Sequence, residues 1–174
     1  MSNSNHAIKT LHDLLNYEAS HFTAGEVSLR NILPKWISMA SSFQLKSVLQ
    51  KYHEQVVLHI QMMEKYVVNE QLSDLAISNK IMNAFIEVAE EKINNCKDLE
   101  VKDACLLASI QAINHYKIST YGTAASFANE INLEKFGTHF HEAAINEKQI
   151  DDRLTQLADF EINKKAKVHT LLNS

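Results

Sequence analysis

Glu26, His59, Lys117 and Glu147 each fall on the apolar stripe of a helical segment, where a hydrophobic side chain is the norm. Glu26 lies between Phe22 and Leu29, with Gly25 beside it to allow close helix approach. His59 lies between Val56 and Met63. Lys117 shares its stripe with Ile110, Ile113, Tyr121 and Ala124, and Asn114 sits one turn earlier. Glu147 follows Phe136, Phe140 and Ala143, with Asp151 one turn later. Carboxylates and imidazoles converging from facing helices are how metal centres are built inside helical bundles. The same residues joined by hydrogen bonds can instead fix helix register with no metal.

Other candidates carry less. Glu18-x-x-His21 has the Glu-x-x-His spacing of di-iron bundles, but only the first helix shows it, and Val56 stands where the second would need a glutamate. It is expected to be a surface or half-buried pair. His139 and His141 are two apart and diverge on a helix, as surface histidines do. Tyr116 and Tyr121 read as core or interface aromatics. Cys96 and Cys105, nine apart, form no C-x-x-C pair and suit a reducing compartment as ordinary buried or half-buried thiols. With three glycines in the chain there is no Gly-rich phosphate loop, and no nucleophilic Ser or Cys motif stands out.

The elements that must hold these residues are helices. Three glycines and one proline in 174 residues, where average usage would give about 12 and about 9, argue against many short strands. Residues 1–9 read as a loose arm. Thr10 is a helix N-cap, with Asp13 in the capping-box position. A first long helix runs to about residue 41, with Pro34 expected to bend it. After Ser41-Ser42 a second spans about 43–69, then a polar connection, a short helix at about 80–95, and long helices at about 100–130 and 133–160. Residues 161–174 read as a polar tail, with KKAK at 164–167 exposed. The expectation is one all-α domain over 10–160: four long helices in a bundle, the short helix lying in the long crossover between the second and third.

The net charge of −4 gives no push toward nucleic acid. The opening MSNSNHAIKT lacks the apolar run of a signal peptide, and no stretch approaches 18 uninterrupted apolar residues, so a cytoplasmic protein with no membrane span is expected.

The chain resembles the YciE/YciF-type stress proteins, a branch of the ferritin-like superfamily, over about residues 10–158. The residues that carry the likeness are TLHDLL, EVSLRNILPK at 26–35, HIQMMEKY at 59–66, KDACLLASIQAINHYKISTYGT at 102–123 and INEKQIDDRLTQLA at 145–158. The H-Y-x-I-x-x-Y-G-T pattern is the most specific piece. The resemblance implies a ferritin-like bundle that pairs into a homodimer, is linked to stress responses, and carries carboxylates able to hold a di-iron centre. By position, Glu26, His59, Glu147 and Asp151 match the family's site. The departure lies in the third long helix, where the family reads E-H-Y-E and this chain reads Asn114-His115-Tyr116-Lys117. Asn146 also replaces a neighbouring acid.

A protonated lysine about 4 Å from a divalent ion would be repelled by about 8 kcal/mol at an effective dielectric of about 20. Two readings of Lys117 follow. Its ammonium takes the metal's electrostatic place among Glu26 and Glu147, with His59 and Asn114 completing the hydrogen bonds, or it snorkels along the bundle to water. The expected function is a stress-associated structural or binding module with a degenerate di-iron site, no catalysis and no cofactor. The alternative is a weak iron-binding or oxidase/peroxidase-type protein with a reduced site at Glu26, His59, Glu147 and Asp151. A partner-binding helical module of another kind is a third reading. Trp36, Tyr66 and Phe127 are the candidate interface residues of the expected homodimer.

Overall fold

The computed structural model describes residues 7–73 and 75–172, with side chains through Lys167. Helix α1 spans Leu11–Met39, α2 Phe43–Asn69, α3 Lys80–Asn95, α4 Leu99–Glu130, α5 Glu134–Leu157 and α6 Asn163–Leu172, with a π-helical turn Ala158–Ile162 joining the last two. No strand occurs among the described residues. The long helices α1, α2, α4 and α5 form the bundle, and α3 lies in the crossover from α2 to α4. Helix α1 packs on α2 and α4, and α5 packs on the same two, so α1 and α5 face each other across the diagonal.

Local chemistry sets the boundaries. The Thr10 hydroxyl accepts from the Asp13 N–H at 3.0 Å, while the Asp13 carboxylate accepts from the Thr10 N–H at 2.9 Å. Helix α1 continues unbroken through Pro34, which is exposed. The break at Ser41-Ser42 is held from a distant element: the buried Asp103 of α4 accepts from the Ser41 N–H at 2.8 Å, the Ser41 hydroxyl at 2.6 Å and the Ser42 N–H at 2.8 Å. Asp103→Ala leaves those donors without their acceptor and is expected to cost about 2–3 kcal/mol, since bonds to charged groups contribute about 1.5–3 each. Chemical denaturation measures the loss. Gly25 permits a close approach, but the neighbour is the crossover rather than a long helix. The Asn79 side chain, which caps α3, comes so near that a Cβ on Gly25 would lie 3.1 Å from Asn79 Nδ2.

Two expectations change. Residues 161–172, read from the sequence only as a polar tail, are helical, with Ile162 buried and Glu161 accepting from the Ser42 hydroxyl at 2.9 Å and from Lys165 at 2.8 Å. The lysines of KKAK are exposed on that helix. Trp36 and Tyr66 are interior residues rather than interface residues. Trp36 Nε1 donates to Glu90 of α3 at 2.5 Å and the Tyr66 hydroxyl to Asn16 at 2.6 Å. Phe127 is half-buried. Of the expected N-terminal arm, residues 7–9 are irregular and exposed, and residues 1–6 lie outside the described residues, as do 173–174 of the expected tail.

The core is divided. One apolar cluster holds Leu29, Leu33, Trp36, Leu49, Tyr52, Val56, Ile113, Ile150 and Leu154. The other holds Leu15, Phe22, Met63, Tyr66, Tyr121, Phe136, Phe140 and Ala144. On every long helix the residues at the boundary between them are polar: Glu26, His59, Asn114 with Lys117, and Glu147.

Candidate functional site

Each helix delivers its polar residue to the same level. Glu26 comes from α1, His59 from α2, Asn114 and Lys117 from one stripe of α4, and Glu147 from α5. Glu26, Asn114, Lys117 and Glu147 are fully buried, and His59 nearly so. Lys117 does not snorkel. Its Nζ lies 2.6 Å from Glu147 Oε1 and 3.1 Å from Glu26 Oε2, as ion pairs not aligned as hydrogen bonds. The same nitrogen sits 4.7 Å from the Tyr52 ring centroid, a cation–π contact on its remaining side.

The two carboxylates are held differently. Asn114 Nδ2 donates to Glu147 Oε2 at 2.6 Å and to the Glu147 carbonyl at 3.0 Å, and His59 Nδ1 lies 3.2 Å from Glu147 Oε1. Glu26 has only Lys117 and the Tyr121 hydroxyl, which donates to its Oε1 at 2.8 Å. Burial pushes Glu147 up, but Lys117 and His59 pull harder and hold it below the usual carboxylate range. Burial wins at Glu26, which is raised despite Lys117. Burial alone would lower Lys117, but the two carboxylates reverse this and hold it above the ordinary lysine value. Burial, with Glu26 and Glu147 nearby, pushes the Tyr52 and Tyr121 hydroxyls up, so both stay neutral, and of the two only Tyr121 donates a hydrogen bond in the layer, to Glu26. Tyr121→Phe removes one of the two groups on Glu26 and is expected to destabilise by about 1–3 kcal/mol, the penalty for an unsatisfied buried acceptor. Thermal and urea unfolding check it.

Five of the sequence-derived residues therefore meet. Asp151 does not join them. It is half-buried on the flank of α5, where its carboxylate meets His115 Nε2 at 3.0 Å and Gln111 Nε2 at 3.4 Å. Glu18 is exposed, and the His21 Nδ1 contacts the Tyr17 carbonyl at 2.9 Å. His139 pairs with Glu142 at 3.6 Å, and His141 is exposed. Cys96 and Cys105 are half-buried free thiols. Sequence reasoning missed Tyr52 and the polar role of Tyr121. The signal was spacing: Tyr52 precedes His59 by two helical turns, and Tyr121 follows Lys117 by four residues.

Glu26, His59 and Glu147 each offer a ligand atom, and the three atoms lie within 4.8 Å of one another, the one such group among the described residues. Lys117 reaches two of the three.

The fold and this layer define a class: a four-helix bundle with a crossover helix and a buried charged layer between two apolar cores. The chain belongs to the family described as Domain of unknown function (DUF892), which matches residues 10–167. It is 32% identical to the protein YciF of Escherichia coli K12 over 162 residues, 91% of this chain and 96% of that protein. The crystal structure of the E. coli stress protein YciF superposes with a TM-score of 0.81 at 31% identity, covering 90% of this chain and 99% of that one. YcfI of Rhodopseudomonas palustris shares the fold, with a TM-score of 0.82 at 23% identity over 89% of this chain and 98% of the other. The resemblance to the YciE/YciF-type proteins is thereby borne out. Among the described residues no helix is long and apolar enough to cross a membrane.

Proposed function

We propose that this chain is a stress-associated member of the ferritin-like bundles in which a lysine ammonium replaces the metal centre, leaving a non-catalytic structural or binding module. The observation that carries this reading is the placement of Lys117 Nζ, at 2.6 Å from Glu147 and 3.1 Å from Glu26. The donor set does not fit a di-iron centre. Two metals need carboxylates to offset at least four positive charges, and this layer holds two carboxylates already engaged by one fixed cation. Asn114 and Lys117 stand where acids would serve, and Asp151 lies outside the layer. A homodimer and a cytoplasmic location belong to the same reading.

The second reading, a single weakly held metal, is supported by the closeness of Glu26, His59 and Glu147. Purified protein incubated anaerobically with Fe(II), then desalted, separates the two. The lysine reading expects iron far below one per chain and no ferroxidase or peroxide-consuming activity. Stoichiometric iron with turnover would overturn it.

A further inference from the structure

Cys96 and Cys105 stand apart in the sequence, but the turn from α3 into α4 brings them together. Cys96 is the C-cap of α3, its N–H donating to the Ile93 carbonyl at 3.2 Å. Asp98 is the N-cap of α4, its carboxylate accepting from the Val101 N–H at 2.9 Å. The chain therefore reverses within residues 96–98, and α4 packs back along α3. Cys105 lies against the apolar cluster that holds Ala89 and Ile93 of α3. Its thiol has Cys96 and Ser109 as side-chain hydrogen-bonding neighbours. Lys92, one turn before Cys96, serves both cysteines. Its carbonyl accepts from Cys96 Sγ at 3.3 Å, and its ammonium lies close enough to favour the Cys105 thiolate. Burial and then Cys96 outweigh that ammonium and push the Cys105 thiol up. Both thiols are free and half-buried, so a small oxidant can reach them.

We propose that Cys96 and Cys105 are a reversible dithiol–disulfide pair, oxidised by hydrogen peroxide and reduced by a small thiol. One thiolate attacks the peroxide and takes one oxygen as the O–O bond breaks, leaving a sulfenic acid and water. The second thiolate attacks that sulfur, forms the S–S bond and expels the sulfenic oxygen as water. The two thiols together lose two electrons and two protons, and the peroxide leaves as two waters. A thiol held in its neutral form is a slow nucleophile, so the pair answers sustained rather than trace peroxide. The bond would pin the crossover. Helix α3 buries only Met82, Ala89 and Ile93, and the disulfide ties its C-terminal end to α4. This inference stands on the α3–α4 turn and does not depend on the reading of the buried layer.

The test uses the full-length protein with EDTA present, so that metal-driven oxidation does not enter. Protein treated with hydrogen peroxide is quenched with catalase, unfolded, alkylated and mapped with trypsin. Cleavage after Lys97 and Lys102 places the cysteines on separate peptides. The expected product is those two peptides joined by a disulfide within one chain, returned to two alkylatable thiols by dithiothreitol. In Cys96→Ser and in Cys105→Ser the remaining cysteine should stop at a sulfenic acid that dimedone traps. Glutathione redox buffers then show whether the fold sets the pair. The equilibrium constant for the disulfide should be roughly tenfold or more larger in native protein than in protein unfolded by urea. Disulfide-linked dimers as the main product, oxidation of single cysteines to sulfinic acid without a crosslink, or equal constants in native and unfolded protein would each overturn the proposal.

Discussion

Lys117→Met is expected to lower the unfolding free energy by about 3–5 kcal/mol, the largest single-residue loss in this protein. Methionine fills a similar volume and is at home among Tyr52, Ile113 and Tyr121, so little of the loss comes from packing. It comes from Glu26 and Glu147, which lose their shared cation while still buried. A buried carboxylate without a partner protonates or draws in water, and either route weakens the native state. Glu26→Gln and Glu147→Gln added to Lys117→Met should recover part of the loss, because three neutral groups replace three charges. The pH dependence should shift as well. In the wild type Glu147 is held below its unfolded value, so its contribution is present above the ordinary carboxylate range and fades as pH falls through the lowered value. Lys117, raised above its unfolded value, contributes below the ordinary lysine range, and that contribution fades as pH rises through the raised value. Glu26, raised, works against Glu147 on the acid side. Urea titrations across pH should show both slopes in the wild type and a loss of the alkaline one in Lys117→Met. A loss below about 1 kcal/mol would mean that the ammonium carries no part of the layer.

The second large effect runs in the other direction. Asn114→Glu/Lys117→Glu removes the fixed cation and brings the layer to four carboxylates and His59. In the absence of metal this variant should be strongly destabilised by like charges in a dry core. Fe(II) or Mn(II) should restore it: binding to the native state alone adds about 2.7 kcal/mol when free metal is a hundredfold above the dissociation constant. The readout is a melting temperature that rises with metal in the double variant and is flat in the wild type. A variant that folds without metal and ignores added metal would show that the four helices no longer hold ligand geometry.

The bundle was legible because its signals are local. Thr10 with Asp13, the break at Ser41-Ser42 and the apolar stripes are read within one or two turns, and the helices form where those signals place them. Glu26, His59, Lys117 and Glu147 were legible as a set because a polar residue on a buried stripe stands out against its own neighbours. Asp151 was misplaced by the same logic. Four residues advance a helix about 40° past a full turn, and the apolar stripe of α5 proceeds instead through Ile150 and Leu154. Asp151 therefore turns toward His115 and Gln111. Tyr52 and Tyr121 were hidden because tyrosine suits an apolar core as well as a polar layer. Asp103 was invisible because its partners lie more than 60 residues away and nothing local marks it. The π-helical turn after Leu157, which carries the chain into α6, likewise has no glycine or proline to announce it.

The most direct measurement of the central claim is a crystal structure of the wild-type protein soaked with Mn(II) or Fe(II), with anomalous diffraction recorded at the metal edge. The predicted result is no anomalous peak in the layer between the two apolar cores, with the Lys117 ammonium between Glu26 and Glu147. An ion coordinated by Glu26, His59 and Glu147, with Lys117 swung away from both carboxylates, would contradict it.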